Sequence, residues 1–290
     1  MGTSWYCRVL IVAAMVLPSV LRAQIAVKPE ATRSAQDSAV GNLLGCGRFV
    51  ASDASLDLIS KLCEFALTYR HQLPDFIVQQ TTTSEGMSNT VITAQVTFQA
   101  GVEHYSNVTI DGHPAPASSI TTTLPSSIQF SSTGEFGPAL LDLFKVPGAT
   151  EFKFKRKSSL RNQPVAIYEF HVPENKNVFW RFRIADGRSF APEFNGELWL
   201  QQKTGKPLRE EMQPANLPAG SEITSANTVI DYATASLGDA GSFILPIKSE
   251  TTLCNQGMYG MGACTTNVIR FQHYRKFGIT TRIITSSPKP

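Results

Sequence analysis

The chain has 290 residues, of which 42% are hydrophobic and 17% are charged, so it is long and apolar enough to bury the core of a folded domain. Its 20 glycines and 17 prolines are ordinary numbers for this length, which excludes collagen-like and low-complexity classes. The formal net charge is only +3, too small for the basic surface that nucleic-acid binding requires. We therefore expect no nucleic acid among its partners.

Residues 1–23 have the pattern of a secretory signal peptide. One arginine and no acid precede an apolar run at 9–20, and Ala23 offers a small residue before the predicted cleavage point. A membrane anchor is disfavoured because a span needs roughly twenty apolar residues. Cleavage leaves 24 basic and 23 acidic residues, a net charge of +1. We expect an exported protein, periplasmic or extracellular. It would have a flexible leader at 24–50, alternatively a loosely packed helix, and a single domain at 51–290.

The domain begins with one amphipathic helix and continues mostly as strands. Apolar residues recur at helical spacing from Ser52 to His71, and Pro74 ends the helix. After Asp75 the period changes to two. About ten strands are predicted near 92–98, 108–110, 152–155, 165–172, 180–184, 197–200, 208–212, 228–232, 243–252 and 267–274. Because turns join consecutive strands, antiparallel pairing is the economical topology.

A short apolar helix interrupts the strands at 136–144. Its apolar face consists of Phe136, Leu140, Leu143 and Phe144. Two interpretations stay open. The helix is either a plug that covers an open sheet face or a movable lid over a ligand cavity.

Four cysteines remain after the predicted cleavage, an even number that fits an oxidising compartment. Three pairings are available, and proximity in the sequence favours Cys46–Cys63 and Cys254–Cys264. Two methionines lie between Cys254 and Cys264, and soft sulfur ligands also suit copper(I). Cysteines in an oxidising compartment more often pair with each other, so we expect disulfides and no metal.

The hairpin at 196–209 resembles that of a known family. Gly-Glu-Leu-Trp-Leu at 196–200 is followed by Thr204 and Gly205 in the turn and by Pro-Leu-Arg at 207–209. This pattern is similar to the central hairpin of the periplasmic lipoprotein-sorting carriers and of their relatives in envelope-stress sensing. Gln201 stands where the carriers have an acid, and the turn is one residue longer. Three further segments, at 134–137, 243–246 and 267–277, look more like a family of exported bacterial proteins of acidobacterial type.

The carrier resemblance implies a fold and a function. The fold is α+β and mostly β, a strongly curved antiparallel sheet that forms an open half-barrel covered by two helices. In the carriers the concave side takes acyl chains, and in the stress sensors a related cavity is adapted to sensing. The implied function is therefore binding of an apolar, acyl or lipid-like ligand. The expected partners are a lipid or lipidated protein, or a protein of the envelope, with a monomeric chain, peripheral membrane contact at most and no cofactor.

The candidate ligand-binding residues combine the apolar face of the short helix with aromatic residues that alternation places on the inner face. They are Phe98, Phe136, Leu140, Leu143, Phe144, Phe152, Phe154, Trp180, Phe182 and Trp199. The same residues would form a filled core in a protein-interaction or sensory module, which is the alternative. Two short helices cover less area than ten curved strands offer, so a residual apolar cleft is favoured.

The candidate basic surface consists of Lys153, Lys155, Arg181 and Arg183. If their strands are neighbours in the sheet, this basic band suits anionic lipid headgroups or an acidic partner. Glu151 and Glu169 lie close by in the sequence, so an ordinary solvated strand face is the favoured alternative.

The sequence carries no motif of a common catalytic class. It has no Gly-x-Ser-x-Gly, no His-Glu-x-x-His and no glycine-rich phosphate loop, and its five histidines are never four residues apart. We therefore expect a protein that is not an enzyme. A Ser–His–Asp arrangement assembled from distant segments stays open as a third interpretation, because triads are recognised by geometry.

Overall fold

The structure is a computed structural model. It describes residues 45–86, 89–122, 136, 138–177, 182–183, 189–217, 223–256 and 262–278. The helices are α1 (Arg48–Ser52), α2 (Asp57–Gln72), α3 (Ser119–Thr122) and α4 (Pro138–Lys145), with 3-10 turns at Ala54–Leu56, Glu174–Lys176 and Gly238–Ala240. The strands are β1 (Phe76–Glu85), β2 (Thr90–Gln99), β3 (Val102–Ile110), β4 (His113–Pro114), β5 (Glu151–Leu160), β6 (Gln163–Val172), β7 (Phe182–Arg183), β8 (Ser189–Phe190), β9 (Glu193–Gln201), β10 (Pro207–Ala215), β11 (Ile223–Ser236), β12 (Ser242–Asn255) and β13 (Ala263–Lys276).

Eleven of the described strands form one antiparallel sheet, in the order β4-β3-β2-β1-β13-β12-β11-β10-β9-β6-β5. Most neighbours are consecutive in the chain, as hairpin pairing predicts. The pairing of β1 with β13 instead joins the two ends of the domain. The sheet is unclosed, with β4 and β5 at its ends, while β7 and β8 pair separately.

The strands bend because several of them carry β-bulges. The register shifts between Ile77 and Gln79, Thr93 and Gln95, Phe154 and Arg156, Pro207 and Arg209, Ile223 and Ser225, and Asp231 and Tyr232. Each bulge bends its strand and increases the local right-handed twist, which adds to the intrinsic twist of a sheet. One face is therefore concave, and the predicted fold class, a curved open antiparallel sheet with two covering helices, is confirmed.

Helices α2 and α4 pack against each other and cover the concave face, which we call the inner face; the opposite side is the outer face. Helix α2 buries Ile59, Leu62, Cys63 and Ala66, which recur at the spacing of one helix face. It ends at Gln72 because Pro74 disfavours helical backbone in the residue before it. The predicted helix is thus present, although a 3-10 turn forms its first residues.

Both favoured disulfides are present, Cys46–Cys63 and Cys254–Cys264. Cys254 and Cys264 lie directly opposite each other on β12 and β13. Cys46 and Phe49 are buried, so the described part of the predicted leader packs onto α2.

The predicted signal peptide and most of the predicted leader lie outside the described residues, as do Trp180 and Arg181. Of the strand predicted at 180–184, the structure describes Phe182 and Arg183, which form β7. No helix in the described ranges is both long enough and apolar enough to cross a bilayer.

Candidate ligand-binding region

One end of the inner face is filled by side chains from α4 and β5. Leu140, Leu143 and Phe144 of α4 are buried in a cluster that includes α2 and strands β6, β9, β10 and β11, which we call the first inner cluster. Phe152 stacks on Phe144 with ring centroids 5.4 Å apart. Phe154 packs against the same cluster. Five of the ten predicted ligand-binding residues are therefore brought together here.

The other end of the inner face holds a second inner cluster, built mainly from β1, β2, β12 and β13. Phe98 stacks on Phe76 at 5.0 Å, and Phe136 lies 5.0 Å from Phe271. Phe136 precedes α4 and belongs to this second cluster, so it is separated from the three α4 residues with which the sequence grouped it. Aromatic rings occupy this part of the concave side.

Trp199 does not lie on the inner face, and the prediction was wrong in this respect. Its neighbours Leu198 and Leu200 are buried in the first inner cluster, and alternation then directs Trp199 outward. It packs against Ile167 and the rest of a small outer cluster, with the Arg209 guanidinium 5.9 Å from its ring. The error arose because both faces of this part of the sheet carry apolar residues. The side chains of Trp180 and Phe182 lie outside the described residues.

The described part of the predicted basic band has mixed charge. The Lys155 amine lies 2.9 Å from a Glu169 carboxylate oxygen and 2.6 Å from one of Glu197. Its hydrogen bond with Glu169 is the largest cause that raises the pKa of Lys155 and lowers that of Glu169. This observation agrees with a solvated strand face. The side chains of Arg181 and Arg183 are not among the described ones.

These charges line an outer-face trough of about 630 Å³ across β5, β6, β9, β10 and β11. Lys153 and Glu151 line it as well. Glu197 lies directly opposite both Glu169 and Glu211 in the strand register. No group of three or more His, Cys, Asp or Glu side chains in the described ranges is placed to hold a metal ion.

A recess of about 530 Å³ opens between the last turn of α2, the turn that joins β2 to β3, and α4. Its apolar lining consists of Ala66, Leu67, Leu73, Ala100, Val102 and Leu141. Val102 is 51% exposed, although it is a large hydrophobic residue. Arg70, His71 and Gly101 complete the lining. This recess combines apolar walls, the Arg70 guanidinium and access from solvent.

Glu210 is a buried acid beneath α4. Its side chain has no solvent exposure, and burial raises its pKa to about 8. The Tyr232 hydroxyl donates to its Oε2 at 3.4 Å, whereas its Oε1 has no hydrogen-bond partner among the described residues. The negative charge of Asp142 on α4 adds to the increase, and burial raises the pKa of Asp142 itself to about 6. Two acids thus interact across the interface between α4 and the sheet.

Comparisons with known proteins give structural matches only. No protein-family model matches the chain, and no curated protein matches it. Among solved structures, a LolA superfamily protein from Nitrosomonas europaea is 15% identical, with 78% of this chain and 96% of that chain covered and a TM-score of 0.32. A putative outer membrane lipoprotein-sorting protein domain from Vibrio parahaemolyticus is 12% identical, with 76% and 93% covered and a TM-score of 0.37.

A third match is the MucA/MucB complex of Pseudomonas aeruginosa, at 13% identity, with 74% of this chain and 93% of that chain covered and a TM-score of 0.24. The Vibrio protein is named for lipoprotein sorting, the class that the 196–209 hairpin resembles. The predicted resemblance is confirmed as a likeness of fold. At these scores the likeness supports no argument about a ligand or a partner. Those arguments rest on the geometry of this chain.

The sequence prediction missed Glu210 and the recess at Arg70. Met212 is an inner-face residue, and alternation counted back from it places Glu210 inward. The alternation along β10 could therefore have indicated that Glu210 is buried. No sequence pattern could have indicated the recess, because its walls come from three elements that are distant in the chain: α2, the β2–β3 turn and α4.

Proposed function

We propose that the protein is an exported, non-enzymatic protein that binds an apolar, acyl-like ligand in the recess between α2 and α4. The observation that carries this proposal is a solvent-accessible recess, beside the helix that covers the inner face, whose walls are partly apolar. A volume of about 530 Å³ is within the range of small-molecule sites, roughly 300–1,000 Å³. Two disulfides are typical of exported proteins.

Helix α4 is the element that would move to admit a longer chain. It covers the inner face through three side chains, Leu140, Leu143 and Phe144, and it carries Asp142 toward the buried Glu210. Burial disfavours the charged form of both acids, so the free energy needed to ionise them weakens the contact between α4 and the sheet. Displacement of α4 would open the recess onto the first inner cluster. Each buried methylene contributes about 0.8 kcal/mol, so about ten methylenes supply the free energy of a micromolar dissociation constant before ordering costs.

The test uses a fluorescent acyl probe with an uncharged end. Val102 and Val91 are exposed by 51% and 43% respectively, and only Val102 lines the recess. Both residues are substituted by Asn, which costs little stability at exposed positions. We expect saturable binding to the unmodified protein, a fivefold to tenfold weaker affinity, about 1 kcal/mol, for Val102→Asn, and no change for Val91→Asn. Equal affinities for the two variants, or no saturable binding, would refute the proposal.

A second candidate function is a protein-interaction or sensory module. The stacking of Phe98 on Phe76 and of Phe152 on Phe144 favours it, because these rings occupy inner-face space that a ligand would need. Native mass spectrometry of protein isolated from its own envelope separates the two functions. A lipid-sized adduct supports the carrier function, and a protein adduct without lipid supports the module.

A further inference from the structure

We propose that the ligand of this recess is an amphiphile with an anionic head group, a carboxylate or phosphate, bound by Arg70 and His71. This inference rests on the proposed function, because it names the chemistry of the end of the ligand that does not enter the apolar part of the recess. It concerns side chains of α2 that no part of the sequence prediction had assigned to a site.

The charge of the recess has one sign. Among the described residues that line it, Arg70 and His71 are the ionisable ones, and none of those described residues is an acid. Every other lining residue is apolar or glycine. A cation beside apolar walls is the arrangement that complements an anionic head group on a hydrocarbon chain.

The two ends of such a ligand find different environments along α2. His71 is exposed and Arg70 is partly buried, whereas Ala66 and Leu73 are buried. Residues 66, 67, 70 and 71 recur at a spacing that places them on one side of a helix. The head group would therefore lie at the solvent-exposed end, with the hydrocarbon chain directed toward the buried end and Leu141 of α4.

The guanidinium of Arg70 is held in place across the recess. Its Nη2 donates to the carbonyl oxygen of Gly101 in the β2–β3 turn, which fixes the side chain between α2 and the sheet. A guanidinium has five N–H donors in a rigid planar fork. The Gly101 carbonyl takes one of these donors, and a carboxylate or phosphate pairs well with two others.

Two acids lie near this site, and each has its own partner. Asp75 accepts the backbone N–H of Ala100 at 2.9 Å. Glu103 accepts the Tyr105 hydroxyl at 2.9 Å, and burial is the largest cause that raises its pKa. The charge of Arg70 lowers that pKa, so Glu103 offsets part of the charge of Arg70. Neither acid lines the recess, and no acidic side chain is among the described residues that do.

The experiment compares two fluorescent probes of equal chain length, one ending in a carboxylate and one in a primary alcohol. A hydrogen-bonded charge pair stabilises the complex enough to give the carboxylate probe about a tenfold higher affinity than the alcohol probe. We expect this preference in the unmodified protein and its loss in Arg70→Gln, while the alcohol probe binds both proteins equally. Arg275→Gln is the matched control, because it removes the same charge near the C-terminal end of β13, outside the recess.

Competition identifies the source of the anion. Inorganic phosphate alone should not displace the carboxylate probe, whereas a phosphate monoester of the same chain should displace it. Equal binding of the two probes to the unmodified protein overturns the head-group inference and leaves the proposed function standing. Displacement by inorganic phosphate, or an equal loss in Arg275→Gln, also overturns it. If neither probe binds, the proposed function itself is refuted.

Discussion

Substitution of Glu210 by Gln should make the protein more stable at alkaline pH. The carboxyl group is fully buried, and its Oε1 lacks a hydrogen-bond partner among the described residues. Burial therefore raises its pKa from an ordinary value of 4.5 to about 8. Gln keeps the size of the side chain and an oxygen that accepts from the Tyr232 hydroxyl, but it never carries a charge.

The direction in which stability changes with pH follows from proton binding to Glu210. Because the pKa is higher in the folded state, the folded state holds the proton more tightly than the unfolded chain. The contribution of Glu210 to stability is complete below about pH 4.5 and is lost as the pH rises through about 8. The difference between the two pKa values corresponds to roughly 5 kcal/mol at most. Relaxation of the structure and entry of water reduce this figure.

The assay is urea unfolding, followed by tryptophan fluorescence, at pH 5, 7 and 9. We expect the free energy of unfolding of Glu210→Gln, relative to the unmodified protein, to rise by several kcal/mol from pH 5 to pH 9. Asp142→Asn should lower the pKa of Glu210 and reduce the same change, because it removes the nearby negative charge. Parallel pH profiles for Glu210→Gln and the unmodified protein would show that Glu210 is not a buried acid and would refute the reasoning.

Two further predictions concern packing and covalent structure. A Cβ atom on Gly196 would lie 2.2 Å from both the Phe170 ring and the Glu211 carbonyl oxygen. We therefore expect Gly196→Ala to lower the free energy of unfolding by at least 1–3 kcal/mol through overpacking, which is measured as a lower melting temperature. An unchanged melting temperature would contradict the assigned contact. Replacement of Cys46 and Cys63 by Ser should destabilise the protein by about 2–4 kcal/mol, because the bond closes a loop of 17 residues over the buried face of α2. Unfolding in denaturant, compared with and without reductant, checks this prediction, and a stability that reductant does not change in the unmodified protein would count against it.

The local elements were accessible from the sequence because they depend on residues close together in the chain. The period-two pattern from Ile92 to Phe98 predicted β2, and helical spacing followed by Pro74 predicted α2. Short sequence separations favoured the two disulfides that are present. The hairpin at 196–209 carried the resemblance from which the curved, open sheet was expected.

Side-chain orientation was decided by the tertiary structure. Alternation assigns Trp199 to the face opposite Leu198, but it does not state which face is concave. Apolar residues on β6 occupy both faces, since Ile167 packs in the outer cluster and Tyr168 in the first inner cluster. Bulges such as the one between Pro207 and Arg209 also shift the alternation along a strand, so a count forward from Leu208, which packs in the outer cluster, places Glu210 on the wrong face.

By itself, then, the sequence predicted most of the strands, though not β1, together with the two covering helices, and it favoured the two disulfides that are present, since each follows from neighbours within a few residues or one short loop. The tertiary structure decided which distant residues interact. Asp142 of α4 acts electrostatically on Glu210 of β10, and Arg70 of α2 donates a hydrogen bond to Gly101 in the β2–β3 turn. These groups are distant in the chain, and only the curvature of the sheet and the docking of α4 bring them together. No spacing rule contains that information, because it arises from packing between elements and not from preferences within them.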